Sequence, residues 1–337
     1  GNLRLFTNAQ LSINVFSQVQ FDGPVQLDPG SRLSMTGAVV LNDDLTAQSP
    51  LVIESFGGLT NNAVCSLTNT TVNTSSFTNG ASLSSQGTST FEGFYVNNAA
   101  ATTNASGTFR VQGSFINNGT FVGAACPSCL STPPTLDVWT DLTLGPDATL
   151  SMPVAGAMVH VEGNFDSALN NNTRYDLSQA TLQFENGFAV LTEQTLEVMS
   201  RDIGPSASGL DRTIPGHYPI GTLRIGQVVS LVRLVDNHDN DGLGQGSCEA
   251  LYVDTLQIET DSRLINTSCR IYYNTLINDG TIDFPANVIP LAPPCPGDLN
   301  NDGLVDDSDF VLFAAAYDTL HCADPAMPPG SPAGLND

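Results

Sequence analysis

Leu27-Asp28-Pro29-Gly30-Ser31-Arg32-Leu33-Ser34-Met35 and Leu144-Gly145-Pro146-Asp147-Ala148-Thr149-Leu150-Ser151-Met152 share the pattern Leu-x-Pro-x-x-x-Leu-Ser-Met. Each copy reads as the end of one strand, a turn of four to five residues, and the start of the next strand. Leu5 to Leu11 and Ile258 to Leu264 repeat the plan without the proline, and a small residue holds the fourth place after the first apolar one throughout (Ala9, Ser31, Ala148, Ser262). Around these units the chain alternates apolar and polar residues in short runs, as in Leu11-Ser12-Ile13-Asn14-Val15, Val159-His160-Val161 and Leu251-Tyr252-Val253-Asp254-Thr255-Leu256. A period of two is the strand period, and almost no segment before Asp309 keeps a helical one. The first two units are offset by 22 residues, a reasonable length for one coil of a repeat fold.

Asparagine pairs recur at Asn61, Asn97, Asn117 and Asn171, and Phe115-Ile116-Asn117-Asn118-Gly119-Thr120-Phe121 echoes Phe77-Thr78-Asn79-Gly80. Asparagine tolerates left-handed turns, and stacked Asn side chains satisfy one another. The expected fold is therefore all-β: a parallel β-solenoid over residues 1–289, specifically a right-handed β-helix, with a break near 200–220. At about 22 residues and 4.8 Å per coil the rod would be roughly 60 Å long. The less regular part of 185–220 carries Gly204-Pro205, Ile214-Pro215-Gly216 and Tyr218-Pro219. Two antiparallel sandwiches are the rival, and would show clearer hairpin turns.

The 337 residues carry 34 Asp plus Glu against 10 Lys plus Arg, a formal charge of -24. All ten cations are arginine. That balance argues against nucleic acid, whose phosphates need a basic face. Without lysine there is no Schiff-base or lysine-base chemistry. The 7 cysteines suit an oxidising, extracellular compartment. Cys248 and Cys269 lie one coil apart, Cys295 and Cys322 bracket a loop-helix unit, Cys126 and Cys129 form a short local pair, and Cys65 is left over. No stretch reaches the roughly 20 apolar residues that span a bilayer. The start at Gly1, without a methionine or signal peptide, reads as a processed mature chain or a fragment.

After a Pro-rich linker at 290–297, residues 298–309 alternate oxygen ligands in the way calcium requires. Asp298, Asn300 and Asp302 offer side-chain oxygens, Leu304 its carbonyl, Asp306 a direct or water-borne contact, and Asp309 closes the loop from twelfth place. Gly303 stands at the sharp turn, and an apolar helix begins at Phe310. The prolines of the leader exclude a preceding helix. A calcium loop with only a following helix resembles one half of a type I dockerin, a calcium-dependent module at the ends of secreted bacterial proteins. The resemblance covers about forty residues, 298–337. It implies a second half, of which Pro332 to Asp337 looks like the opening before the chain stops, with Gly334 in place of the first ligand. It also implies partner contact through Asp307 and Ser308, and a cohesin as partner.

Asp236-Asn237-His238-Asp239-Asn240-Asp241-Gly242 matches the middle of a second, irregular calcium loop through Asn237, Asp239 and Asp241. Cys248 occupies its twelfth place and Glu249 falls one residue late. Parallel β-helices include polysaccharide lyases and hydrolases. Here, however, lysine is absent and His160, His217, His238 and His321 are scattered. Asp43-Asp44 is a poor acid/base couple, because adjacent strand residues face opposite ways. No catalytic residues and no cofactor other than calcium are expected. The repeat texture resembles secreted bacterial stalk, adhesin and autotransporter passenger proteins. The functional expectation is a non-enzymatic extracellular structural protein, assembling head to tail with copies of itself into a filament, surface layer or matrix. The alternatives are an adhesin or dockerin-type scaffold component holding carbohydrate or cohesin, and then a polysaccharide-processing enzyme.

Overall fold

The computed structural model describes residues 2–14, 18–48, 51–125, 132–186, 192–244, 248–266, 268–291 and 307–323. The described strands from Leu3–Leu5 to Val288–Pro290 wind into a parallel β-solenoid of about 13 turns. Every ladder between its strands is parallel and joins one turn to the next. Each turn lays down three short runs, which build three faces.

The first face stacks Leu3–Leu5, Val25–Leu27, Leu45–Ala47 and Val64–Thr68. The second stacks Gln10–Ile13, Arg32–Met35, Leu51–Ser55 and Thr70–Thr74. The third is a separate sheet of 12 strands, from Val19–Phe21 to Thr281–Ile282. From Ser82–Phe91 onward the first two faces partly fuse, because single strands such as Thr102–Val111 run across both. Gly107 over Gly87 permits that bend. Both have positive φ (101° and 69°), and a Cβ on Gly107 would lie 2.4 Å from the Gly87 carbonyl oxygen.

Register is strict. Leu3, Val25, Leu45, Cys65, Leu83, Thr103 and Phe121 stand on one another in turn, so these turns take 18 to 22 residues. The 22-residue spacing read from the sequence holds only for the first turn.

The repeated Leu-x-Pro motif proves to be a corner, used at all three vertices. Leu27 to Leu33 joins the first face to the second and stacks on Leu5 to Leu11. Leu144 to Leu150 joins the third face to the first, and Ile258 to Leu264 joins the second to the third. The two motifs therefore share a local conformation rather than a position in the turn. In each, the small residue's N–H closes a β-turn: Ala9 to Phe6 (2.8 Å), Ser31 to Asp28 (3.1 Å), Ala148 to Gly145 (3.0 Å) and Ser262 to Glu259 (3.0 Å). Asn8, Gly30 and Asp261 take positive φ at the third turn position, as a type II turn demands. Ser31, Ala148 and Ser262 are buried, which is why only a small side chain fits there.

Alternation sends one set of side chains inward, and like residues meet. Asn61, Asn79, Asn97 and Asn117 are fully buried and pass hydrogen bonds up the stack, each Nδ2 donating to the next Oδ1 at 2.9, 3.0 and 2.9 Å. Their second N–H groups reach the carbonyls of Ser82, Thr102 and Thr120. Asn171 is not in this ladder; it caps the short 3-10 turn Asn172–Arg174. Beside the Asn ladder, Phe77, Phe91, Tyr95, Phe109, Phe115 and Phe121 pack ring to ring at 4.9–5.5 Å between the closest pairs.

A single helix, Asp307–Ala323, is the only α-helix among the described residues. It follows the proposed calcium loop, whose residues 298–306 lie outside the described ones, as does the linker from 292 on. No described helix is long and apolar enough to cross a membrane.

Removing Asn97 strands a donor on Asn79 and an acceptor on Asn117 in a dry core. Asn97→Ala should cost about 2–4 kcal/mol, whereas Asn62→Ala in the exposed Asn62–Asn42 pair should cost under about 0.5 kcal/mol. Urea unfolding of both variants checks this; equal losses would remove the ladder from the core's energetics.

Candidate metal centre

From the middle of the rod onward, three successive turns carry insertions at the vertex between the third face and the first. Residues 168–174, 198–219 and the described residues of 236–244 and 248–249 leave that corner in successive turns and pack on one another. Asn172 Nδ2 donates to the carbonyls of Arg212 (2.7 Å) and Ile214 (2.8 Å). Asn240 Nδ2 donates to Ser167 (2.9 Å), and the Tyr218 hydroxyl donates to the Asn240 carbonyl (3.0 Å). Buried side chains thus satisfy backbone that has left the sheet.

The last insertion is acidic and folds around its own carboxylates. Asp239 accepts the N–H of Gly242 (2.9 Å) and of Gly244 (3.1 Å), and Asp241 accepts that of Leu243 (2.8 Å). Both glycines have positive φ, which turns their amides back toward the acids. Glu249 closes the loop: its Oε1 accepts the N–H groups of Asn240 (2.6 Å) and Asp241 (2.9 Å), and its own N–H goes to Asp236. One oxygen from each of Asp239, Asp241 and Glu249 lies within 4.8 Å of the others. Glu249 is 5% exposed, and its Oε2 has no hydrogen-bond partner. Burial pushes its pKa up to about 8, against the pull of the Asp241 and Asn240 amides.

Glu197 supports the loop from below. Its Oε1 accepts the N–H groups of Asn237 (2.7 Å) and His238 (2.8 Å), and burial raises its pKa to about 7. Cys248 and Cys269 are disulfide-bonded, with Cα atoms 5.0 Å apart, and tie the loop's end to the following turn. A cavity of about 380 Å³ opens beside this bond, lined by Asp202, Gly204, Cys248, Ser268 and Arg270.

The structure thus groups Asp239 and Asp241 with Glu249. Asn237 is exposed and is held through its backbone N–H. Sequence spacing set Glu249 one place late for a regular calcium loop, but this loop is closed by the return into the sheet at Ala250. A one-turn offset between Cys248 and Cys269 was the available signal. Asp298, Asn300, Asp302, Leu304 and Asp306 lie outside the described residues, and so do Cys126, Cys129, Cys295 and the side chain of Cys322. Asp309, in the helix's first turn, is 2% exposed. Cys65 is a buried free thiol whose pKa burial pushes up.

A second polar group lies on the outer side of the second face. Arg110, Asp137, His160 and Gln183 stack in register over four turns. Asp137 accepts from Arg110 Nε (2.6 Å) and pairs with His160 Nδ1 (2.7 Å), while His160 Nε2 faces Glu185 at 3.4 Å. His160 faces outward between the buried Val159 and Val161, yet its side chain is only 14% exposed, covered by Asp137 and Glu185. Burial works against its charge, but the Asp137 hydrogen bond and charge prevail and raise its pKa above the ordinary 6.5. Burial likewise works to raise Asp137, yet His160 and Arg110 hold it below 3.8. Burial raises Glu162 nearby, and the Asp137 and Glu185 charges add to the effect.

A raised histidine stabilises the fold fully below pH 6.5 and loses that contribution as pH rises through the raised value. A depressed Asp stabilises above 3.8 and loses it as pH falls through the depressed value. The pair should therefore support the fold best between those limits. His160→Gln should cost about 1–2 kcal/mol near pH 6 and less near pH 9. Denaturant midpoints across that range decide it; a pH-independent difference would mean that His160 is neutral in the rod.

No protein-family model, curated protein sequence or solved structure matches this chain.

Proposed function

We propose that the chain is a non-enzymatic extracellular structural protein: a calcium-stabilised, right-handed β-helix that assembles head to tail into a filament, surface layer or matrix. The observation that carries this reading is the in-register stack. Interior Asn and aromatic ladders span Asn61 to Phe121, ion pairs bridge neighbouring turns from Arg4–Asp28 to Arg263–Asp283, and an in-register parallel stack of this kind is a template that another copy can extend.

The outer face supports the non-enzymatic part. Nine of the ten arginines pair with a carboxylate, from Arg4–Asp28 to Arg270–Asp202. Asp137 and His160 are committed to each other. Calcium at Asp298–Asp309 rests on the ligand pattern of that loop, and the Cys248–Cys269 bond favours an oxidising compartment.

One observation favours the alternative of a tethered adhesin or dockerin-type scaffold component. The helix Asp307–Ala323 exposes Phe310 (68%), Val311 (64%) and Phe313 (56%), apolar surface suited to a protein partner such as a cohesin.

Electron microscopy of the native protein, with and without a chelator, separates the two. Regular fibres that chelation weakens are expected; single short rods in both conditions would favour the tethered module. Separately, Asp302→Ala should lower calcium affinity and expose the C-terminal unit to protease, and unchanged affinity would remove Asp302 from the ligand set.

A further inference from the structure

We propose that Asp239, Asp241 and Glu249 bind a calcium ion that clamps the inserted loops onto the solenoid, at a site separate from Asp298–Asp309 and independent of whether the rod assembles. Three carboxylate oxygens within 4.8 Å of one another fit around one ion, since calcium–oxygen distances of about 2.3–2.6 Å place opposite ligands about 5 Å apart. Carboxylate oxygens are the donors of a hard cation, and no cysteine or histidine joins the group.

Proximity of acids alone would be an ordinary acidic turn. Glu249 makes the difference. It is 5% exposed, its Oε1 is used twice by the loop's own amides, and its Oε2 is left without a partner in a group that includes two further acids. A buried oxygen of that kind is costly unless a cation meets it.

The carboxylates are also fixed before any ion arrives. Backbone N–H groups of Gly242, Gly244 and Leu243 orient Asp239 and Asp241, and the disulfide at Cys248 anchors the Glu249 side of the loop. Asp239 is exposed and Asp241 half-buried, which leaves the solvent side open for ion entry and for water ligands. Bound there, the ion would join the start of the loop to its end. The Asn240 contacts to Ser167 and Tyr218 pass that restraint to a strand two turns below and to the neighbouring insertion.

The test uses the full chain carrying Asp298→Ala and Asp302→Ala, so that the C-terminal loop is silent, with calcium binding followed by calorimetry. One site per chain is expected to remain. Adding Asp239→Asn, at an exposed position where the fold should tolerate it, should weaken that site at least about tenfold, and Glu249→Gln should do the same or more. Calcium should also slow proteolytic cleavage within 236–249, and lose that effect in the Asp239→Asn chain. Loss of all calcium binding in the starting chain, with circular dichroism unchanged, would overturn the site. So would a remaining site whose affinity Asp239→Asn leaves alone.

Discussion

A parallel coil laid in register on the one below puts every side chain above its counterpart, and the rest of this molecule follows from that constraint. Inside, a polar residue must find its hydrogen-bond partner within the stack, either a backbone carbonyl, as Ser55 does at Gly37 and Gly58, or the residue stacked on it. An amide can do this because it donates and accepts at once, so Asn61, Asn79, Asn97 and Asn117 form one chain of bonds. Aromatic rings meet the same requirement through edge-to-face packing. Outside, like charges in consecutive turns would repel, and the stack pairs opposite ones: Arg32 with Glu54, Arg110 with Asp137 and Arg263 with Asp283.

The constraint also decides where the chain can depart from regularity. A residue added within a strand would turn the rest of that strand inside out, so extra length must leave at a corner. The insertions that form the lobe all leave at the same vertex, and each can rest on the previous one rather than stand alone in solvent. The lobe still lacks the sheet's ladders. It substitutes side-chain caps, the Cys248–Cys269 bond and a nest of carboxylates held by amides. Local chemistry there does what stacking does elsewhere.

The same division explains what could be read from the sequence. Alternation, the corner motif and the Asn pairs are properties of neighbouring residues, so the solenoid itself was legible. The register was less so, because Leu27–Met35 and Leu144–Met152 look equivalent yet occupy different vertices. A corner is recognised by its turn and small residue, and those do not say which two faces it joins. Asp239 and Asp241 were legible as close neighbours on a polar loop. Glu249 was not, since its approach depends on where the chain re-enters the sheet. The setting of His160 was hidden for a related reason: its partners Asp137 and Glu185 lie more than 20 positions away on each side and meet it only through the stack.

The disulfide has a further consequence once the rod is placed under tension. Pulled from its ends, a solenoid gives way turn by turn, and each released turn of some twenty residues adds about 70 Å of slack. Cys248 and Cys269 enclose a separation of 21 residues, close to one full turn, and that length cannot be drawn out while the bond is intact. The bond therefore sets a limit on extension near the C-terminal end of the rod, and a reducing agent would convert a short tether into a longer one.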